Sequence, residues 1–552
     1  EGDSQTVTIT VDKEQFKSYD SNCAETYIVD PGNYYITAAS DSHDAINNIL
    51  AAKIDDGIID SSCANKMYAI GNKDATGNKD LVGKVEVPIE TDNNNVKTDL
   101  SGNSVNLTYS TSSETGAAIT NQLDSADINR YSGSGSNSVT YVSRNNWTGT
   151  WPSAAVTLSI ATTQMQTDLH SDNELEEDGS AMPTYGASNN ITLAMLRGKD
   201  YVDEDWDKLL DQMTYAEQAL LICDGYHLTN AVSSVAKPAT VDENGPTSVT
   251  GSVTGCCMPS EGIWAASFND ELLERIGNLM GDDCIMAGVQ GLYAPGVNIH
   301  RTPFCGRAHE YFSEDPYLSG MASVAEVKGI QERGVVAYVK HFAFNECETN
   351  RNGVGVWLNE QEAREIYLLP FEYSMRPSIG NAHAIMTSFN RVGCVWSSAC
   401  SGIMINIARD EWDFDGFSIT DASSGNGGTY MTFYDGIMNG TCLYDGTGTS
   451  ADLDDYASSA RFCNMMRDAS HRILYVVCNF SAAMNGISSS TTIVSVTPWW
   501  QALLIALEVI GIVLVVGSAA CYVVAEVFKH KKSSDSTGTD AGASGDSPDS
   551  KS

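Results

Sequence analysis

The chain has 552 residues, with 71 acidic against 32 basic side chains and a formal net charge of −39 at pH 7. This length exceeds that of one ordinary domain, so several domains with separate cores are expected. The negative charge argues against a nucleic-acid partner, because recognition of a phosphate backbone needs clustered Lys and Arg. A neutral substrate is compatible with this negative net charge.

Residues 1–85 have the pattern of a small β-rich domain. Residues 6–11 alternate between Thr and β-branched apolar residues, and Pro31-Gly32 forms a predicted turn before a strand over residues 33–37. Residues 86–189 follow, and their first part is rich in Asn, Ser, Thr and Gly with weak periodicity. We interpret this second segment as a polar insertion and linker.

Residues 190–485 alternate between short apolar runs and amphipathic segments. Helical spacing of apolar residues is found in Trp206–Leu221 and in residues 319–333 and 359–376. Four short runs have the composition of buried strands: Gly291–Val297, Gly334–Val339, Ala382–Met386 and Gly416–Ile419. This alternation predicts a parallel sheet wrapped by helices, a (β/α) or TIM-like barrel.

Polar residues follow each of the four predicted strands. They are, in order, Asn298-Ile299-His300-Arg301, Lys340-His341, Thr387-Ser388-Phe389-Asn390 and Thr420-Asp421. One polar residue after a strand is more often a structural group than a functional one. Four clusters in order favour function, because the carboxyl ends of parallel barrel strands meet at one mouth, where active sites of this architecture are built.

The C-terminal region predicts a membrane anchor at residues 498–528. Its uncharged core, Val509–Ala525, is 17 residues long, close to the minimum for a helix that crosses a bilayer. Trp499 and Trp500 suit one interface, and the basic run that begins at Lys529 suits the cytoplasmic side. We therefore expect a single-pass cell-membrane protein with an extracellular catalytic domain and a disordered cytoplasmic tail over 529–552. A buried core helix is the alternative.

Export of the region before the anchor would require a leader, and none precedes Glu1, so a fragment or a processed chain is expected. Cys521 lies inside the predicted span, and the other 13 of the 14 cysteines cannot all pair. We expect mostly buried free thiols, with a disulfide framework as the alternative. His300 and His309 lack the spacing of zinc motifs, and no metal or cofactor is expected.

Seven segments carry a family resemblance. They are Tyr293–Arg301, Gly306-Arg307, Glu310–Pro316, Val339–Ala343, Glu348–Arg351, Arg364–Leu368 and Asp415–Asp421. Together they resemble the catalytic barrel of family 3 glycoside hydrolases, specifically the β-glucosidases. The resemblance covers residues 190–485 and implies a multidomain α/β protein with a TIM-like barrel.

The first 85 residues also resemble the fibronectin type III-like β-sandwich of these enzymes, through Ser42–Ala45 and Asn47–Leu50. In most of the family this module follows the barrel, whereas here it precedes it. That order resembles a circularly permuted branch of the family. It implies that the family's α/β sandwich domain lies upstream of this chain or in a separate subunit.

The family's retaining mechanism implies a role for each matched side chain. Asp421 occupies the nucleophile position, and Arg307, Lys340 and His341 would bind sugar hydroxyls. Arg351 would have a structural role. The acid/base of the family comes from the sandwich domain, so the identity of that residue is unknown in this chain.

Three positions depart from the family's pattern. Asn244 replaces the Asp of the family's Asp-Gly-Pro motif, Phe389 replaces a Tyr, and Ala422 follows the nucleophile where many members have an aromatic residue. Asn244 and Phe389 are kept as candidate substrate-binding positions. The sequence thus supports a cell-surface retaining β-glucosidase acting on terminal non-reducing β-D-glucosyl residues. The alternative is a catalytically degenerate, membrane-tethered sugar-binding or scaffold protein.

Overall fold

The structure, a computed structural model, describes residues 6–62, 76–88, 97–98, 102, 104–126, 128–129, 139–144, 177–423, 430–493 and 498–535. The chain divides into two compact units, residues 1–491 and residues 492–552.

Strands are found only in the first unit among the described residues. They are β1 (Ser18–Asp20), β2 (Thr26–Ile28), β3 (Gly32–Thr37), β4 (Val82–Val87), β5 (Lys97–Thr98), β6 (Ser104–Val105), β7 (Leu228–Thr229), β8 (Thr240–Asn244), β9 (Gly291–Tyr293), β10 (Val336–Phe342), β11 (Gly355–Val356), β12 (Ala384–Thr387), β13 (Arg391–Val392), β14 (Val395–Trp396) and β15 (Phe417–Ile419).

The α-helices are α1 (Ser42–Asp55), α2 (Asp205–Gln212), α3 (Tyr215–Cys223), α4 (Glu261–Ala265), α5 (Asp270–Ala287), α6 (Pro316–Gln331), α7 (Glu360–Glu362), α8 (Leu369–Met375), α9 (Phe433–Met438), α10 (Ala460–Phe480) and α11 (Trp499–Asp535). Two π-helical segments are Ala363–Tyr367 and Gly402–Glu411.

The five strands β8, β9, β10, β12 and β15 are parallel neighbours in one sheet, and β7 joins antiparallel to β8. Residues 443–446 connect the β15 edge of the sheet to the segment that precedes β7. The Leu443 N–H donates to the Ser418 carbonyl at 2.9 Å, and the Tyr444 N–H donates to the Ile222 carbonyl at 2.9 Å. The structure thus confirms the predicted TIM-like barrel.

The strands are apolar because both of their faces are buried. All seven residues of β10 are buried. Tyr338 packs edge to face against Tyr293 and Phe417 inside the barrel, whereas its neighbours Ala337 and Val339 pack with the surrounding helices. This alternation follows from the period of two along a strand. Because both faces of the strands are buried, polar side chains lie at the carboxyl ends of the strands.

The predicted helix over Trp206–Leu221 is two helices, α2 and α3, separated at Met213 and Thr214. The Thr214 hydroxyl accepts the Glu217 N–H, and the Glu217 carboxylate accepts the Thr214 N–H, which is a complete capping box. These bonds start a new helix and stop the old one. The helical spacing of apolar residues in the sequence continues across the break. This spacing therefore predicted a single helix.

The N-terminal region differs from the predicted fibronectin type III-like β-sandwich. The residues that carried this resemblance form α1, which begins after the N-cap Asp41. The described strands of residues 18–105 pair two by two, as β1–β2, β3–β4 and β5–β6, and one antiparallel bridge joins Val29, which follows β2, to Asn106, which follows β6. The two packed sheets of a sandwich are not found among the described residues of 1–85. At the residues that carried the resemblance, the N-cap Asp41 favours a helix over a strand.

Part of the predicted polar linker belongs to the barrel core. Leu123, Ala126 and Ile128 are buried together with the residues that lie between the sheet and its helices. The Ser112 hydroxyl bonds the Glu411 carbonyl, and the Cys394 N–H donates to the Ala126 carbonyl at 2.8 Å. The few apolar residues of this segment therefore fix its position on the barrel. They are not evident from the sequence, because the segment as a whole is polar.

A buried ion cluster centred on Arg364 joins this segment to the barrel. Arg364 bonds Glu360 at 2.9 Å and Glu411 at 2.7 and 3.0 Å, and these three side chains are at most 3% exposed. The Glu360 carboxylate also accepts the Gln122 and Leu123 N–H groups. Each charge of the cluster is therefore paired inside the protein.

Replacing Arg364 by Ala should lower the free energy of unfolding by about 3–5 kcal/mol, because it leaves two buried carboxylates without a counter-ion. Arg275→Ala is the matched control, since Arg275 also pairs with a Glu four residues earlier but is 72% exposed. It should cost at most about 0.5 kcal/mol. Denaturant titration of both variants measures the difference, and equal losses would contradict the assignment.

The second unit contains α11. Its segment Trp499–Lys531 has 33 residues, and its most apolar window reaches a mean hydropathy of 2.5. At 1.5 Å per residue this segment is about 50 Å long, more than the hydrocarbon core of a bilayer. The helix could therefore cross a membrane, and it coincides with the predicted span.

None of the 13 described cysteines forms a disulfide bond. Seven of them are buried: Cys223, Cys284, Cys394, Cys400, Cys442, Cys463 and Cys478. The described part of the chain thus agrees with the expectation of free thiols.

Candidate active site

Four of the predicted site residues meet at the carboxyl edge of the barrel sheet. Lys340 and His341 lie near the end of β10, Asp421 follows β15, and Arg307 comes from the loop after β9. Asp421 Oδ2 lies 3.9 Å from Arg307 Nη1 and 3.8 Å from His341 Nε2. The barrel therefore brings together residues that are more than 100 positions apart in the chain.

Only one of the two carboxylate oxygens of Asp421 accepts a hydrogen bond from the described residues. Oδ1 accepts the Ala422 N–H at 2.8 Å, whereas the buried Oδ2 has no hydrogen-bond partner among the described residues. Burial raises the pKa of Asp421 above its usual value, and Arg307 opposes that rise. The free oxygen and the fixed carboxyl orientation are what a nucleophilic carboxylate needs.

Glu310 connects the two cations of the site. Its Oε2 accepts from Arg307 Nη2 at 2.9 Å and lies 3.6 Å from Lys340 Nζ. Burial alone would raise the pKa of Glu310, but Lys340 and Arg307 outweigh burial and hold the pKa below its usual value. Glu310 is therefore an ionised counter-ion. Lys340 Nζ also donates to the Gly245 carbonyl at 3.4 Å.

His341 is a neutral side chain at pH 7. Burial is the main reason that its pKa lies well below the usual range, and the nearby positive charges of Arg307 and Lys340 lower it further. The His341 N–H donates to Asn298 Oδ1 at 2.8 Å, and its Nδ1 lies 3.3 Å from the Tyr311 hydroxyl. These contacts orient the ring so that Nε2 faces Asp421.

A second pair of charges lies behind the first. Arg351 Nη1 bonds Glu348 Oε2 at 3.0 Å and its guanidinium covers the Phe389 ring at 4.6 Å. Asn345 Nδ2 donates to Glu348 Oε1 at 3.0 Å, and that oxygen lies 4.0 Å from Arg307 Nη1. Arg351 thus supports Arg307 through Glu348, in line with the structural role predicted for it.

The three departures from the family's pattern occupy different environments. Asn244 is exposed at the end of β8, directly before Gly245, whose carbonyl accepts from Lys340. Phe389 is buried, and its carbonyl accepts from the Tyr430 hydroxyl at 3.0 Å. Ala422 is exposed. The structure therefore places Asn244 next in the chain to a carbonyl that Lys340 contacts, and Phe389 against Arg351.

Sequence reasoning missed Glu310, Glu348 and Asp445. The first two lie within the quoted motifs, three residues from Arg307 and Arg351 respectively, and this spacing was a usable signal for ion pairs on one turn. Asp445 gave no such signal. Its N–H donates to Thr420 Oγ1 at 3.0 Å and its carbonyl accepts the Ser423 N–H at 2.8 Å, so it holds both flanks of Asp421.

Asp445 also adds a buried titratable group next to the site. Its side chain is 4% exposed, and Oδ1 accepts the His227 N–H at 3.3 Å. Burial, reinforced by the charge of Asp421, raises the pKa of Asp445 to about 7. Among the described residues, no group of three His, Cys, Asp or Glu side chains could hold a metal ion.

The barrel mouth places a buried carboxylate, Asp421, between a cationic side chain, Arg307, and a neutral imidazole, His341, at the end of a parallel barrel where active sites are built. Comparison with known proteins agrees with this interpretation. Residues 230–434 match the glycosyl hydrolase family 3 N terminal domain. The barrel region of the chain is therefore similar to glycoside hydrolase family 3 enzymes, among them β-glucosidases.

The similar proteins cover part of the chain. Thermostable β-glucosidase B of Acetivibrio thermocellus is 35% identical over 39% of this chain and 30% of its own length. An exo-α-(1→6)-L-arabinopyranosidase of Bifidobacterium longum is 35% identical over 43% and 31%. β-Glucosidase 3B of Thermotoga neapolitana in complex with α-D-glucose is 28% identical with a TM-score of 0.45, covering 52% of this chain and 44% of that one.

The chain thus spans about 30% of the length of the curated relatives that it matches.

Replacing Asp421 by Asn should stabilise the protein at pH 7. A raised carboxyl pKa means that the folded state binds its proton more tightly, so stability falls as the pH rises from the usual carboxyl pKa, near 3.9, through the raised one. The melting temperature of Asp421→Asn should therefore exceed that of the parent at pH 7, and the gap should close below about pH 4.

Glu204→Gln serves as the exposed control, since Glu204 is 87% exposed. It should leave the melting temperature nearly unchanged at both pH values. A parent protein that is more stable than Asp421→Asn at pH 7 would contradict the electrostatic description of the site.

Proposed function

We propose that the protein is a retaining glycoside hydrolase that cleaves terminal non-reducing β-D-glucosyl residues through a covalent intermediate on Asp421. The observation that carries the proposal is the buried, unengaged Oδ2 of Asp421 between Arg307 and His341. A retaining mechanism needs a carboxylate that can attack the anomeric carbon. Attack requires a free lone pair, and Oδ2 has one.

The residues around Asp421 support sugar binding in the same site. Arg307 and Lys340 present charged donors, and neutral His341 presents a ring nitrogen beside the nucleophile. Charged donors form the stronger hydrogen bonds to hydroxyl oxygens. They also stabilise the negative charge that returns to Asp421 when the glycosyl-enzyme bond breaks. Relatives named as β-glucosidases and arabinopyranosidases make both pyranosides the first substrates to test.

The acid/base belongs, in this proposal, to an α/β sandwich domain upstream of residue 1 or in a partner subunit. The two other carboxylates that face Arg307, Glu310 and Glu348, are each held by an arginine. Against the effect of burial, Lys340 and Arg307 hold the pKa of Glu310 below its usual value, so Glu310 stays ionised and does not donate a proton. The proposal keeps a domain order in which the sandwich precedes the barrel, and this order rests on the sequence resemblance.

The proposed location is the cell surface. Helix α11 would cross the membrane once, with the barrel outside and residues 529–552 in the cytoplasm. The basic residues that begin at Lys529 support this orientation, because basic residues are enriched on the cytoplasmic side. The protein needs no cofactor in this mechanism, since both steps use carboxyl groups and water.

A 2-fluoro-β-D-glucoside with a good leaving group should label Asp421, because the fluorine slows hydrolysis of the covalent intermediate. The experiment uses the full-length protein together with its upstream region, and peptide mass mapping locates the adduct. Asp421→Ala should abolish labelling and reduce turnover of an aryl β-glucoside by at least about 10⁴-fold.

Asp415→Asn is the matched control, since Asp415 lies just before the opposite end of the same strand, β15. It should keep the label. Sugar binding with neither label nor turnover would contradict the proposal and would support the alternative, a degenerate sugar-binding protein. Label on another carboxylate would contradict the role of Asp421 alone.

Asn244→Asp should raise kcat/KM for the aryl glucoside by about tenfold. The change restores the carboxylate that the family's motif places on the sugar, and a charged acceptor binds a hydroxyl more strongly than an amide does. Steady-state kinetics at pH 7 measures the effect, which should lie mainly in KM. An unchanged KM would show that Asn244 does not touch the substrate.

A further inference from the structure

A second polar cavity lies at the opposite end of the barrel from Asp421. Its volume is about 230 Å³, and its walls come from the N-terminal segment, from α8 and from the end of the Gly402–Glu411 π-helix. The lining residues are Glu14, Lys17, Tyr27, Thr108, Tyr109, Thr111, Ser112, Ser113, Ile119, Glu372, Arg376, Glu411 and Trp412.

The topology separates this cavity from the candidate active site. Trp412 precedes β15 and Arg376 precedes β12, so both residues lie toward the amino ends of parallel strands. Asp421 follows β15 at the carboxyl end. In a barrel of parallel strands these two ends are opposite faces.

Both cations in the wall of the cavity are already neutralised. Arg376 bonds Glu114 at 3.0 Å and Glu372 at 3.1 Å, and Lys17 bonds Glu14 at 2.7 Å. A negatively charged ligand would therefore meet carboxylates instead of free cations. A positively charged ligand would have to displace Arg376 or Lys17 from their partners. The electrostatics of the wall favours an uncharged ligand.

The remaining lining matches the two kinds of surface that a sugar presents. Tyr27 and Ile119 form a small buried apolar cluster against which Tyr109 packs, and Trp412 supplies a second aromatic wall. Hydroxyl groups and carboxylates surround these walls, and Thr108, Thr111 and Ser113 are exposed at the opening. Aromatic faces accept the apolar side of a pyranose ring, whereas carboxylates and hydroxyls accept its O–H groups.

We propose that this cavity is a non-catalytic carbohydrate site that binds one uncharged monosaccharide unit between Tyr109 and Trp412. Its volume of about 230 Å³ is enough for one sugar ring and too small for an oligosaccharide. The site needs neither Asp421 nor turnover, so it does not rest on the proposed activity. Glu372 supplies the carboxylate that orients the hydroxyls.

Tryptophan fluorescence of the full-length protein in detergent tests the proposal, with D-glucose and D-xylose as probes and sodium acetate and methylammonium chloride as ionic controls. Every variant carries Lys340→Ala, which removes a sugar-binding side chain from the active site. At least one of the two sugars should quench emission saturably, with a Kd of about 1–30 mM, and neither ion should do so.

The variants assign the signal to the cavity. Trp412→Phe should remove the quenching, and Tyr109→Ala and Glu372→Gln should each weaken binding by at least tenfold. Tyr317→Ala is the control, since Tyr317 is an aromatic residue outside the cavity that is 49% exposed, and it should change nothing. Melting temperatures show whether each variant is folded.

Three results would overturn the proposal. They are no saturable quenching by either sugar up to about 100 mM, sugar binding that Tyr109→Ala and Glu372→Gln leave intact, and equal binding of acetate or methylammonium. Should Trp412→Phe unfold, hydrogen exchange of residues 104–120 in the Lys340→Ala protein decides the question, since the sugar should protect this segment and acetate should not.

Discussion

The candidate site depends on the burial of two positive charges at the carboxyl edge of the sheet. Lys340 is 3% exposed, and the counter-ion nearest to it, Glu310, also serves Arg307. A buried charge without a partner would cost several kcal/mol. Glu310 must therefore stay within reach of both cations, and this requirement fixes the loop after β9. The same loop position sets the distance between Arg307 and Asp421.

The N-terminal segments have a supporting role that their polar composition hides. Arg364 would be an unpaired buried cation without Glu360 and Glu411, and the Gln122 and Leu123 N–H groups complete the hydrogen bonding of Glu360. The segment around Leu123 thus closes the outer layer of the barrel and also forms a wall of the second cavity. Glu411 belongs both to this ion cluster and to the lining of the second cavity.

Much of the barrel could be predicted from the sequence, because strands buried on both faces are apolar runs that end abruptly at polar residues. Lys340, His341 and Asp421 were found in this way, and β10, β12 and β15 lie where the runs are. Asp445 could not be found, since its role consists of bonds to Thr420 and Ser423 that depend on tertiary structure. The break at Thr214 was predictable from its capping box, but the apolar period outweighed that signal.

Asn244, where the family's pattern has Asp, affects the same group of charges as Glu310, namely those of Lys340, Arg307 and Asp421. With an amide at this position, Glu310 and Asp421 are the carboxylates closest to Lys340 and Arg307. A further carboxylate would raise the pKa of Asp421, which burial already raises. The amide therefore adds no charge that would raise the pKa of Asp421 further, and under the proposed function it would bind a sugar hydroxyl less strongly than a carboxylate would. Under the proposed function, such a site would give up ground-state affinity for the sugar and keep the charge that attack on the anomeric carbon requires.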